Sequence, residues 1–120
     1  AWLEVGGWAN ATYERDGVSG ITLLMTAANY GHERVVEQLL QRGAEVNKQS
    51  SDGGTALMQA AANNHHAIVL RLLRAGADMT SRSEGKSALQ LAKENGHAEC
   101  VRALEEHAAA EAAAREAERA

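Results

Sequence analysis

Three histidines, His32, His65 and His97, follow Gly31, Asn64 and Gly96 at nearly equal intervals along the chain. Imidazole is the commonest metal ligand, so the recurrence invites a metal reading. A zinc ion, however, needs each ligand nitrogen about 2.0–2.1 Å away. Helices stacked side by side hold equivalent positions about 8–10 Å apart. One histidine from each of three neighbours therefore cannot share an ion, and the adjacent pair His65-His66 supplies too few ligands. The expectation is structural histidines and no metal.

The tripeptide Gly85-Lys86-Ser87 suggests a phosphate-binding loop. The full pattern needs a glycine five residues before Gly85 and a strand ahead of it. Thr80 occupies that position, so a turn followed by a helix cap is the better reading. Cys100 is the chain's one cysteine and falls where hydrophobic residues recur elsewhere, as a small buried apolar residue would. No paired-carboxylate or Ser/His/Asp arrangement emerges from the sequence. The chain is expected to be neither an enzyme nor a cofactor binder.

Bulk properties narrow the partner class. Twelve Lys and Arg stand against 16 Asp and Glu, giving a net charge of −4, and the sequence pI is about 5.7. Nucleic-acid binding normally leaves a basic footprint, so no nucleic-acid partner is expected. No apolar run approaches the roughly 18 residues of a membrane span, so no membrane insertion is expected either. A lone cysteine and the lack of a signal-peptide pattern favour an intracellular setting, cytoplasmic or nuclear. Asn10-Ala11-Thr12 matches the glycosylation pattern, but in that setting it is expected to stay unmodified.

Elements that position these residues emerge from a repeat. The stretch "TLLMTAANYGH" at 22–32 returns as "TALMQAAANNH" at 55–65 and as "SALQLAKENGH" at 87–97. Such a period marks stacked supersecondary units. Thr22, Thr55 and Ser87 are good N-caps, and Ser87 with Gln90 makes a capping-box pattern. Leu24, Ala27 and Ala28, then Leu57, Ala60 and Ala61, share the i, i+3, i+4 spacing of a buried helical stripe. Gly31, Asn64 or Gly96 ends the first helix. A second helix carries Val35, Val36, Leu39 and Leu40, matched by Ile68, Val69, Leu72 and Leu73, and ends at Gly43 or Gly76. Polar segments at 47–54 and 80–86 are expected to project as turns or hairpins.

With these residues in view, "GITLLMTAANYGHERVVEQLLQRGAEVN", "GGTALMQAAANNHHAIVLRLLRAGADM" and "GKSALQLAKENGHAECVRAL" resemble the ankyrin repeat over about residues 16–107. The resemblance implies an all-α solenoid of stacked helix-turn-helix units with projecting β-turn or hairpin loops. One departure stands out. The family's Thr-Pro-Leu-His tetrad reads Thr-Leu-Leu-Met, Thr-Ala-Leu-Met and Ser-Ala-Leu-Gln, so hydrogen bonds centred on that histidine are expected to be missing.

Both ends differ from the middle. "LEVGGWANA" at 3–11 can be laid on "LQRGAEVNK" at 40–48, matching Asn10 with Asn47, as the tail of an earlier copy. Residues 1–15 are then a partial repeat with a long first loop, in which Trp2 is expected to shield the end of the stack. Repeats follow at 16–47 and 48–80, a capping repeat at 81–107, and an Ala/Glu/Arg-rich helical extension at 108–120. Lys93 and Glu105 replace apolar stacking residues, as suits an outer face that meets water. The chain is expected to be a monomeric segment of a longer protein.

The resemblance also implies a function. In ankyrin proteins a partner protein or peptide lies on the concave face, made of turn tips and the exposed side of the first helices. By position these are Asp16, Val18, Ser19 and Ile21, then Ser51, Asp52 and Gly54, then Arg82, Glu84 and Lys86. The first helices add Asn29, Tyr30, Ala62, Asn63, Glu94 and Asn95. Tyr30 is the best anchor, because aromatic residues dominate interface hot spots. Trp8 and Tyr13 serve either a partner or the long first loop. Asn47 resembles the asparagine that family members present for hydroxylation, the other reading being that it ties down its turn. A targeting or regulatory arm of a larger enzyme or channel is the second reading of function, and a structural spacer the third.

Overall fold

The computed structural model describes residues 8–119; Trp2 and residues 3–7, where the opening half-copy begins, lie outside them. Three helix pairs follow one another: α1 (Leu23–Tyr30) with α2 (Glu33–Gln41), α3 (Ala56–Ala62) with α4 (His66–Arg74), and α5 (Ala88–Glu94) with α6 (Ala98–Arg119). Each first helix starts where its cap predicts. Thr22, Thr55 and Ser87 accept hydrogen bonds from the backbone N–H of Met25, Met58 and Gln90 at 3.2, 3.2 and 3.3 Å. The reciprocal bond closes at both ends of the stack, where Gln90 Oε1 accepts from Ser87 N and Met25 Sδ accepts from Thr22 N. Met25 and Gln90 occupy the tetrad's histidine position, so part of that residue's local work passes to a thioether and an amide.

The first helices form an inner row, α1 on α3 and α3 on α5, and the second helices an outer row. Ala27, Ala28, Ala60, Ala61 and Ala92 are buried between the inner helices; side chains this short let helices approach closely. Leu24, Leu57, Ile68, Leu72 and Leu104 are the largest fully buried side chains. Burying one such side chain is worth about 1.5–3 kcal/mol. Val35 departs from the expected stripe: it is 37% exposed, whereas its counterparts Ile68 and Cys100 are buried. It stands at the N-terminal end of the stack, where no preceding helix pair lies among the described residues. At the other end Lys93 and Glu105 are exposed and pair at 3.7 Å. Helix α6 then runs on without a break, as 22 residues in all, and every position from 108 to 119 is exposed.

Each unit projects a finger ahead of its first helix. The longer first loop forms a hairpin of β1 (Thr12–Arg15) and β2 (Val18–Thr22), with Thr12 opposite Thr22 and Tyr13 opposite Ile21. Asp16 and Gly17 both have positive φ, 51° and 81°. A two-residue turn of that hand matches the natural twist of paired strands. The third finger repeats the turn in miniature, with Glu84-Gly85 between the bridged residues Ser83 and Lys86. The fingers are stitched together: Ser51 N donates to Ser19 O at 2.8 Å, Ser19 N to Ser51 Oγ at 2.9 Å, and Ser83 Oγ to Asp52 O at 2.6 Å.

Asparagine makes a second stitch. Asn10 donates to Gly43 O at 3.2 Å and accepts from Glu45 N at 2.7 Å. Asn47 donates to Gly76 O at 3.1 Å and accepts from Asp78 N at 2.7 Å. The two asparagines thus make the same pair of bonds, each to a glycine carbonyl and to the N–H two residues beyond it.

Candidate functional site

Between the first finger, α1 and the second finger lies an open concavity of about 240 Å³. Strand β1 supplies Tyr13 and Arg15 and its turn Asp16; β2 supplies Val18 and Ile21; α1 adds Met25, Thr26, Asn29 and Tyr30. Ser50, Asp52 and Gln59 close it from the second unit. Alternation along β1 sends Tyr13 and Arg15 to the same side. Tyr30, the last residue of α1, is 54% exposed and Tyr13 is 40% exposed. Their hydroxyls are anchored, Tyr13's on Thr26 Oγ1 and Tyr30's on Arg15 Nη1, the latter at 3.4 Å. That bond and the nearby phenol oxygen push the Arg15 guanidinium further up. Asp52 is held below the usual carboxylate range by the hydroxyl of Ser50 and the backbone N–H of Gly54.

Of the residues expected on this face, Asp16, Val18, Ile21, Asn29, Tyr30 and Asp52 come together here. Sequence reasoning placed Tyr13 near the site without choosing its role, and missed Arg15, Met25, Thr26, Ser50 and Gln59. A finger folded over a helix brings these together, and no spacing in the sequence announces it. The alternation of Tyr13 and Arg15 before an Asp-Gly turn was the one available signal.

The other expected residues continue the face across the stack. Asn63 donates to Asn29 Oδ1 at 2.8 Å, linking α3 to α1, and Ala62 is half-buried beside it. Lys86 pairs with Glu94 at 2.8 Å, which raises the lysine's pKa. Arg82 donates to Gly85 O and Gln90 Oε1, and Asn95 to Leu91 O. Glu84 is exposed at the third turn. Ser19 and Ser51 are occupied in stitching the fingers together, and Gly54 is buried.

Of the three recurrent histidines, His65 and His97 have structural work. His65 and His97 place Nε2 3.0 Å from Asn29 O and Ala62 O, each a carbonyl of the preceding unit. A carbonyl only accepts, so Nε2 carries the proton in both. These bonds join successive units, a job the altered tetrad suggested would go undone. His66 Nδ1 lies 3.4 Å from Glu99 Oε2. Gly85, with φ of 80°, belongs to the third turn and Ser87 caps α5, the turn-then-cap arrangement expected. Cys100 is buried with Sγ 3.8 Å from Asn64 Oδ1, and desolvation pushes its thiol pKa up. No helix described here is long and apolar enough to cross a membrane.

The family model for ankyrin repeats, three copies, matches residues 5–83, well over half of the chain. It starts within the opening half-copy and stops just before the third capped helix. Among curated proteins no match to the chain is found. Ankyrin repeats are in general protein–protein interaction modules and typically non-catalytic. Repeated capped helix pairs, stitched fingers and the family match agree, and the chain belongs to the ankyrin-repeat family.

Proposed function

We propose that the chain is a non-catalytic recognition module that holds a partner protein or peptide on the face made by its fingers and inner helices. The observation that carries this reading is the concavity at the first finger, where two exposed tyrosines and an arginine converge. Aromatic residues and arginine are enriched among the anchors of protein interfaces. Tyr13 and Tyr30 each make a hydroxyl hydrogen bond, which lowers the side-chain freedom to be lost on binding. The module acts as a monomer, needs no cofactor and works in the cytoplasm or nucleus; the buried, unpaired Cys100 suits a reducing setting. Asn47 serves the fold in this reading. A hydroxylase acting on it would first have to free its amide from Gly76 and Asp78.

The test is affinity capture from a cytosolic lysate with the natural chain and a folded Tyr30→Ala/Asn63→Arg variant. A protein retained by the first and lost by the second is the expected outcome. Identical captures, or none, would favour the spacer reading or a regulatory arm whose partner contacts another surface.

A further inference from the structure

We propose that the concavity at the first finger receives a basic side chain, arginine or lysine, from the partner. This rests on the proposed function above and adds the chemistry that the face selects. Two walls are the rings of Tyr13 and Tyr30. Their hydroxyls hydrogen-bond Thr26 and Arg15, and the half-exposed residues line the opening. A cation over such a ring is attracted by its quadrupole. Val18 and Ile21 give an apolar stretch against which the methylene stem of Lys or Arg can lie.

Charge decides between a basic and an acidic guest. Asp16 and Asp52 line the concavity against a single cation, Arg15. Arg15 is already engaged, donating to the Tyr30 hydroxyl and lying 3.7 Å from Asp16 Oδ2. Asp52 uses Oδ1 for Ser50 and Gly54, while Oδ2 has no hydrogen-bond partner among the described residues. An incoming guanidinium or ammonium can take that oxygen. An acidic side chain would meet Asp52 and an Arg15 already paired with Asp16, in a chain of net charge −4, and an apolar one would desolvate Asp52 without replacing its water.

The experiment is an immobilised nonapeptide array with mixed flanking residues and a fixed centre of Arg, Lys, citrulline, Glu or Leu, probed with the labelled chain. Arg- and Lys-centred sets should retain about twofold to fivefold more protein than the citrulline set, in line with a cation–π contact at a partly exposed site. Tyr30→Leu and Asp52→Asn should each erase that preference. Glu37→Gln, on the outer helix α2, should preserve it. Equal retention of citrulline and arginine, or a preference for Glu or Leu, overturns the inference. So does a basic preference that survives Tyr30→Leu, since it would report only the chain's overall charge. A Leu or Glu preference lost in Tyr30→Leu would leave the face as a binding surface and remove only its basic selectivity. Absence of retention on every set overturns the inference as well, and the lysate capture then decides independently on the face.

Discussion

Gly31 shows how one residue serves two constraints. Its φ of 77° is left-handed, ending α1, and a Cβ built there would sit 2.6 Å from His65 Cε1. The imidazole reaches across that space to Asn29 O, so the glycine both turns the chain and admits the ring that joins two units. A Gly31→Ala substitution should therefore cost more than the roughly 1–2 kcal/mol of a left-handed alanine alone. In a His65→Ala background, with the ring gone, its cost should fall back to about that value. Urea denaturation of the four proteins of this double-mutant cycle measures the difference. Equal costs in both backgrounds would show that backbone strain alone explains the glycine. The sequence displays the Gly-His step twice, at Gly31-His32 and Gly96-His97, with Asn64-His65 between them, yet the partner carbonyl belongs to another unit, so the bond is invisible until the units are stacked.

At the scale of the element, the helices were legible because their caps, stripes and stops are local. Thr22, Leu24, Ala27, Ala28 and Gly31 lie within three turns of one another, and each does what its type suggests. The fingers were less so. The extra residues in the first loop read only as length, although Asp16-Gly17 between alternating residues is a strong hairpin signal. The asparagine stitch was half visible, as a resemblance between Asn10 and Asn47 whose purpose is a contact across units. Replacing Asn47 with Ala removes two bonds to the next unit and leaves Gly76 O and Asp78 N to water. Because the site is exposed, the expected loss is about 1 kcal/mol, read as a lower urea midpoint with an unchanged slope. No loss would mean that water replaces the amide at no cost and that the fingers hold the register alone.

The whole molecule is a row of units in which each buries what its neighbour exposes. Its ends are marked differently, by exposed Val35 at one and by the Lys93–Glu105 pair and the solvent-facing run of α6 at the other. The proposed partner-facing surface was only partly legible. The family resemblance indicates a face, whereas the concavity depends on the fold of a hairpin over α1. The most direct test installs photoreactive benzoylphenylalanine in place of Tyr30 on that face, and separately in place of Ala67 on the outer helix α4, in otherwise unchanged chains. Ultraviolet light in a cell lysate should yield a discrete cross-linked species from position 30 and none from position 67. Cross-links from position 67 alone, or the same species from both, would contradict recognition through the finger and inner-helix face.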